Sequence, residues 1–171
     1  RFFRQHWLPA HWSSVPLSSI IYSYRLNTMI LKTRLFGKIK ILKKEIINFT
    51  APILGFDDCR QYVLLERETS FPTFWLQSID NLSLAFPVVT PFSVDENYSI
   101  KLSSEDCEDI QVKRADEALV LTLLVVPHDI LSIRTNLRAP IVYNPQKKLA
   151  KQIILREEKY SIHYYIMNNR N

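Results

Sequence analysis

Reactive side chains are few in this chain, and they are scattered. Past residue 28 it holds two cysteines, Cys59 and Cys107, and two histidines, His128 and His163. Cys59 would serve as a thiol nucleophile if a histidine approached it in space, and Asp57 and Asp58 beside it offer paired carboxylates for acid–base work. Against this, adjacent acids on a strand point to opposite faces, so Asp57 and Asp58, directly after Gly55-Phe56, fit a turn better than a catalytic pair. A lone cysteine is more often a small core residue, and both Cys59 and Cys107 read as structural. Neither histidine has a second His or Cys at metal-ligand spacing, and His128, following Pro127, reads as a solvated loop residue. Gly occurs only twice, at Gly37 and Gly55. A GxGxxG turn or a phosphate loop needs several glycines in one short stretch, so neither is present. Two cysteines cannot supply a four-Cys zinc site or a disulfide framework. No catalytic constellation emerges, and the expectation is a binding protein without metal or cofactor, not an enzyme.

Binding chemistry has one denser candidate. Asp95, Glu96, Glu105, Asp106, Glu108 and Asp109 crowd into fifteen positions. Lys101 is the one cation between Asp95 and Asp109. Such a run is either a solvated face or a patch for a basic partner. The aromatic set Phe74, Trp75, Phe86 and Phe92 reads mostly as core, and any exposed member would mark a contact surface. Trp75 is expected to be core.

The elements that must position these residues read as strands. The chain has 171 residues, 47% hydrophobic and 23% charged, the size and balance of one globular domain. The dominant period after Met29 is two. Ile30–Phe36 and Lys38–Leu42 alternate about Gly37 and predict a hairpin. Strands are further expected over Arg60–Arg67, Thr73–Ile79, Leu84–Val89, Tyr98–Leu102, Ser132–Leu137, Ala139–Tyr143 and Leu149–Arg156. Pro87 inside one run predicts an edge or bulged strand. Ala118–Val126 is fully apolar and predicts a central strand buried on both faces. Ser103-Ser104-Glu105-Asp106 offers a hydroxyl cap and first-turn acids, predicting a short helix over Ser104–Ile110. The expected class is mainly β: a small antiparallel β-barrel with one or two short helices. No apolar run approaches the length of a membrane-spanning helix.

Residues 1–28 break from this pattern. They hold three arginines, no acid, and two of the three tryptophans, and they lack the uninterrupted apolar stretch of a signal peptide. They are expected to be a non-native or poorly ordered extension upstream of a single domain over 29–171, with an extra edge strand over Ser19–Tyr24 as the alternative. Without them the balance is 19 cations against 17 acids. No basic run exceeds Lys43-Lys44 or Lys147-Lys148, so direct nucleic-acid binding is not expected.

From Met29 the chain resembles the bacterial flagellar assembly factor FliW family. The resemblance rests on Met29–Gly37 (MILKTRLFG), Gly55–Asp58 (GFDD), Phe74–Asn81 (FWLQSIDN), Leu84–Val89 (LAFPVV), Asn136–Asn144 (NLRAPIVYN) and Ala150–Leu155 (AKQIIL). It implies a cytoplasmic partner switch with a small antiparallel barrel. Such a protein binds the translational repressor CsrA, relieving its block on flagellin synthesis, and also binds flagellin. The acidic residues Asp95, Glu96, Glu105, Asp106, Glu108 and Asp109 would then face the basic CsrA. Two departures stand out. Family members are commonly acidic, whereas 29–171 is slightly basic, with Lys38, Lys40, Lys43, Lys44, Lys147, Lys148 and Lys151 as the excess. The stretch Phe49–Gly55 also lacks the family's frequent Pro-Glu-Gly turn. A β-barrel chaperone for another exported subunit, without CsrA binding, is the alternative.

Overall fold

The computed structural model describes residues 27–67, 74–156 and 158–167. The expectations for residues 1–26, including the Ser19–Tyr24 strand, lie outside them. Eleven strands follow in chain order: β1 (Thr28–Thr33), β2 (Gly37–Leu42), β3 (Ile47–Phe49), β4 (Gln61–Glu66), β5 (Phe74–Ser78), β6 (Ala85–Val89), β7 (Leu119–Val125), β8 (Arg134–Thr135), β9 (Ile141–Asn144), β10 (Leu149–Gln152) and β11 (Tyr164–Tyr165). The one α-helix of the described residues, α1, spans Ser104–Asp109.

Seven strands close on themselves in the order β3-β4-β5-β6-β7-β9-β10. Every junction is antiparallel except β10–β3, which is parallel through Leu149↔Asn48 and Ala150↔Phe49. Closure satisfies the backbone without leaving an edge in the ring. Alternation then sends side chains to two sides of the wall. Ile47, Phe49, Tyr62, Leu76, Val88, Leu121, Ile141, Tyr143 and Ala150 fill the inside. Strands β8 and β11 continue outward from β7.

Two covers lie on the outside of this wall. The β1–β2 hairpin is a separate two-stranded sheet. It seats Leu31 and Ile41 on Val63, with Leu65, Ile79 and Leu82 around them. The second cover is the long segment between β6 and β7, which carries α1. It packs Tyr98, Ile110 and Val112 on Val142, together with Leu137, Ile153, Leu155 and Tyr160. Both sectors of wall are therefore buried on both faces, and all four residues of β9 are buried.

Several elements differ from their sequence reading. Tyr98–Leu102 alternates in burial, with Tyr98 buried and Ser99 and Lys101 exposed, yet forms no ladder. Its backbone is satisfied by a side chain: the Tyr160 hydroxyl accepts from Ser99 N at 2.8 Å and donates to Ser99 O at 2.6 Å. Pro87 sits in a barrel strand, opposite Trp75 on β5, but the β6–β7 ladder covers only Val88 and Val89. That arrangement leaves Pro87 with one neighbouring strand, which tolerates its missing N–H. β7 is buried only in its middle, since Leu119 and Val125 are exposed at its ends. The short strands β3 and β11, of three and two residues, are too brief for alternation to mark in the sequence. Trp75 is half-buried on the outer side of the wall, with its ring edge-on to Phe36 of the hairpin turn at 5.8 Å. It lies between barrel and cover, not in the barrel core.

Candidate partner-binding surface

The acidic run takes its shape from the caps of α1. Ser103 Oγ accepts from Asp106 N at 3.1 Å, and the Asp106 carboxylate in turn accepts from Ser103 Oγ at 2.6 Å and from Ser103 N at 3.4 Å. This reciprocal box fixes the start of the helix. The end is a Schellman turn: Val112 N donates to Cys107 O at 2.9 Å and Gln111 N to Glu108 O at 3.1 Å. The turn requires a left-handed residue, and Gln111 fills that place at φ 54° where glycine or asparagine is usual. Buried Asn144 holds the strained turn in place. Its Nδ2 donates to Ile110 O at 3.0 Å and to Gln111 O at 2.9 Å.

Lys151, projecting from β10 on the face turned toward α1, ties the helix down. Its Nζ lies 2.8 Å from both Asp106 Oδ1 and Asp109 Oδ2. Burial alone would raise the Asp106 carboxyl, but the hydrogen bonds from Lys151 and Ser103 outweigh it and hold the group below its ordinary value. The same two carboxylates push the Lys151 ammonium well up, so the pair stays charged across the neutral range.

The six acids therefore divide into groups. Asp106 and Asp109 share one ammonium and serve the fold. Glu105 and Glu108 are exposed on α1, and neither has an ion pair among the described residues. Asp95 and Glu96 occupy a separate turn after the Pro91–Ser93 3-10 turn, where Asp95 Oδ1 accepts from Asn97 N at 3.0 Å. Beside α1 lies an open depression of about 400 Å³, lined by Cys107, Glu108, Gln111, Val112, Lys113 and Lys147. In sequence Lys101 is the one cation among these acids and Lys113 follows α1 by four residues, while folding adds Lys151 and Lys147. In the sequence those two stand only as part of the basic excess, because they reach the helix through the tertiary fold.

The remaining candidates do not assemble. Cys59 is buried in the barrel interior with Tyr62, and Cys107 is half-buried on α1. Asp57 and Asp58 are exposed on a turn, and His128 and His163 are exposed in loops. Among the described residues no three His, Cys, Asp or Glu side chains come together in a group that could hold a metal ion. No helix among them is long and apolar enough to cross a membrane.

With this geometry in hand, known proteins decide the family. The FliW protein family model matches residues 30–166. The chain belongs to the FliW family. A flagellar assembly factor FliW of Natranaerobius thermophilus is 38% identical over 136 residues, covering 79% of this chain and 90% of that protein. One of Thermosipho africanus is 38% identical over 131 residues, covering 76% and 90%. A crystal structure of the flagellar assembly factor FliW superposes with a TM-score of 0.75 at 33% identity, covering 81% of this chain and 96% of that one. The chain shares the fold of that structure, and the ring, the α1 cover and all of the hairpin but Thr28 and Met29 fall within the matched residues.

Proposed function

We propose that this FliW chain works as a cytoplasmic partner switch in flagellar assembly, by binding and not by catalysis. In this reading it binds the translational repressor CsrA, relieves repression of flagellin synthesis, and binds flagellin itself. The observation that carries the reading is the match to flagellar assembly factors over residues 30–166, which takes in the barrel, the α1 cover and nearly all of the hairpin. Glu105 and Glu108 on α1, and Glu96 on its separate turn, are the exposed carboxylates left to meet a basic partner, while Asp95 is half-buried and engaged with Asn97 N. Asp106 and Asp109 contribute indirectly, by fixing α1 against Lys151. Attraction of this kind acts mainly on the association rate and is weakened by salt. The test is a pull-down of purified CsrA and of purified flagellin on the immobilised chain, each alone and then in competition. Binding of both, with flagellin displacing CsrA, supports the switch. Failure to bind CsrA contradicts the switch, and capture of a different exported subunit in the same assay points instead to the chaperone reading.

A further inference from the structure

The β1–β2 hairpin presents a face that the acidic surface does not explain. Its inner side chains, Leu31, Thr33 and Ile41, are buried against the barrel. Its outer side chains are Ile30, Lys32, Lys38 and Lys40, all exposed. The register sets Lys32 directly opposite Lys38, and Ile30 directly opposite Lys40. Arg34 and Leu35 continue the surface at the turn, and Lys43 and Lys44 follow at the other end in a 3-10 turn. Over residues 29–45 there are six cations and the single carboxylate of Glu45, which accepts from Leu42 N at 2.8 Å to cap that 3-10 turn. Among the described residues no carboxylate pairs with Lys32, Arg34, Lys38, Lys43 or Lys44.

Like charges directly opposed across two strands are destabilising. Lysines do protect open strands from edge-to-edge pairing, but charge of either sign serves that purpose, and an alternating set would avoid the Lys32–Lys38 repulsion. The face is also not purely charged. Ile30 is 57% exposed among the lysines, and Leu35 is 46% exposed at the tip. Single-sign charge interleaved with exposed aliphatic side chains complements a partner that carries carboxylates and apolar side chains together. Single-stranded nucleic acid fits less well, because it needs ring faces for stacking. The aromatic neighbours are engaged elsewhere: Phe36 packs edge-on with Trp75, and the Arg67 guanidinium lies over Phe36 at 5.8 Å from its centroid.

We propose that the outward face of the β1–β2 hairpin is a second docking surface, built for an acidic and partly apolar protein segment. It stands apart from the α1 surface and holds whether or not CsrA is a partner. The probe is a short fluorescein-labelled peptide of glutamates interspersed with leucines, followed by anisotropy against the full chain, with a uridine oligonucleotide of equal length as the comparison. The expected result is binding that weakens as salt rises, reduced about tenfold by Lys32→Glu with Lys38→Glu. Lys38→Glu alone replaces a like pair by an opposite pair, so it should weaken binding while leaving the thermal midpoint unchanged or higher. If the double reversal fails to fold, Lys32→Gln with Lys38→Gln removes both charges and should still lower the affinity several-fold. Peptide affinity untouched by these changes, no peptide binding even at low salt, or oligonucleotide binding as tight as the peptide's would each overturn the proposal.

Discussion

The two covers of the barrel are held by different forces. The hairpin rests on burial: a six-pair ladder, with Leu31 and Ile41 pressed on Val63. The α1 cover has hardly any ladder. Beyond its apolar contacts, it is pinned by individual polar atoms, of its backbone and its side chains, paired with groups far along the chain. Asn144 holds Ile110 and Gln111, Tyr160 holds Ser99, Tyr98 donates to Leu137 O at 2.8 Å, Tyr164 donates to Val94 O at 2.9 Å, and Lys151 holds Asp106 and Asp109. A cover held by burial leaves its outer charges free to vary. A cover held by polar atoms commits some of its charges to the fold, which is why only part of the acidic run remains available to a partner.

The largest effect expected from this contrast is on the hairpin. Leu31→Ala removes a buried side chain from a small satellite cluster and should cost about 3–4 kcal/mol, read by chemical denaturation. A loss under about 1 kcal/mol would mean that the hairpin is held by its ladder and not by its underside. Asn144→Ala comes next. It strips the C-terminal carbonyls of α1 of their donor and also removes the Oδ1 that accepts from Gln146 N and Lys147 N. The expected cost is about 2–3 kcal/mol. Hydrogen exchange should rise at residues 104–112 but not at 28–42. Uniform loss of protection over both covers would break the distinction.

Lys151→Met has the smallest expected effect on stability, about 1 kcal/mol near neutral pH, because it leaves Asp106 and Asp109 without their common partner. Its pH signature is more informative. The Asp106 carboxyl is depressed in the folded chain relative to its ordinary value of 3.8, so it stabilises the fold above that value. That contribution is lost as pH falls through the depressed folded-state value. Unfolding midpoints followed from neutral to acid pH should therefore fall less steeply for Lys151→Met than for the unaltered chain. Parallel curves would show that the network contributes nothing through Asp106.

What was legible in the sequence tracks how local its cause is. The β1–β2 hairpin follows from alternation about Gly37, whose φ of +65° supplies the turn. The start of α1 follows from Ser103 and Asp106 three residues apart, and the barrel class from the strand count. The parallel β10–β3 junction did not show, because closure of the ring sets it and no turn encodes it. Tyr98–Leu102 carried a strand's alternation, but its hydrogen-bonding partner is a hydroxyl sixty-one residues away. The division of the acids was hidden for the same reason: Lys151 lies forty-two residues from Asp109 and forty-five from Asp106. Trp75 sat in a distinctive block, yet the face it takes depends on the hairpin that covers it.

The most direct test of the account is the association rate of CsrA with the chain carrying Glu105→Lys and Glu108→Lys, measured across a salt series. Neither side chain is ion-paired among the described residues, and a lysine is unfavourable in the first turn at 105 but favourable in the last turn at 108, so the thermal midpoint should hold while association slows several-fold at low salt and converges with the unaltered chain at high salt, where the Debye length falls to about 3 Å. An unchanged rate with unchanged salt dependence would contradict the account, and would leave α1 as a solvated cover pinned by Asn144 and Lys151.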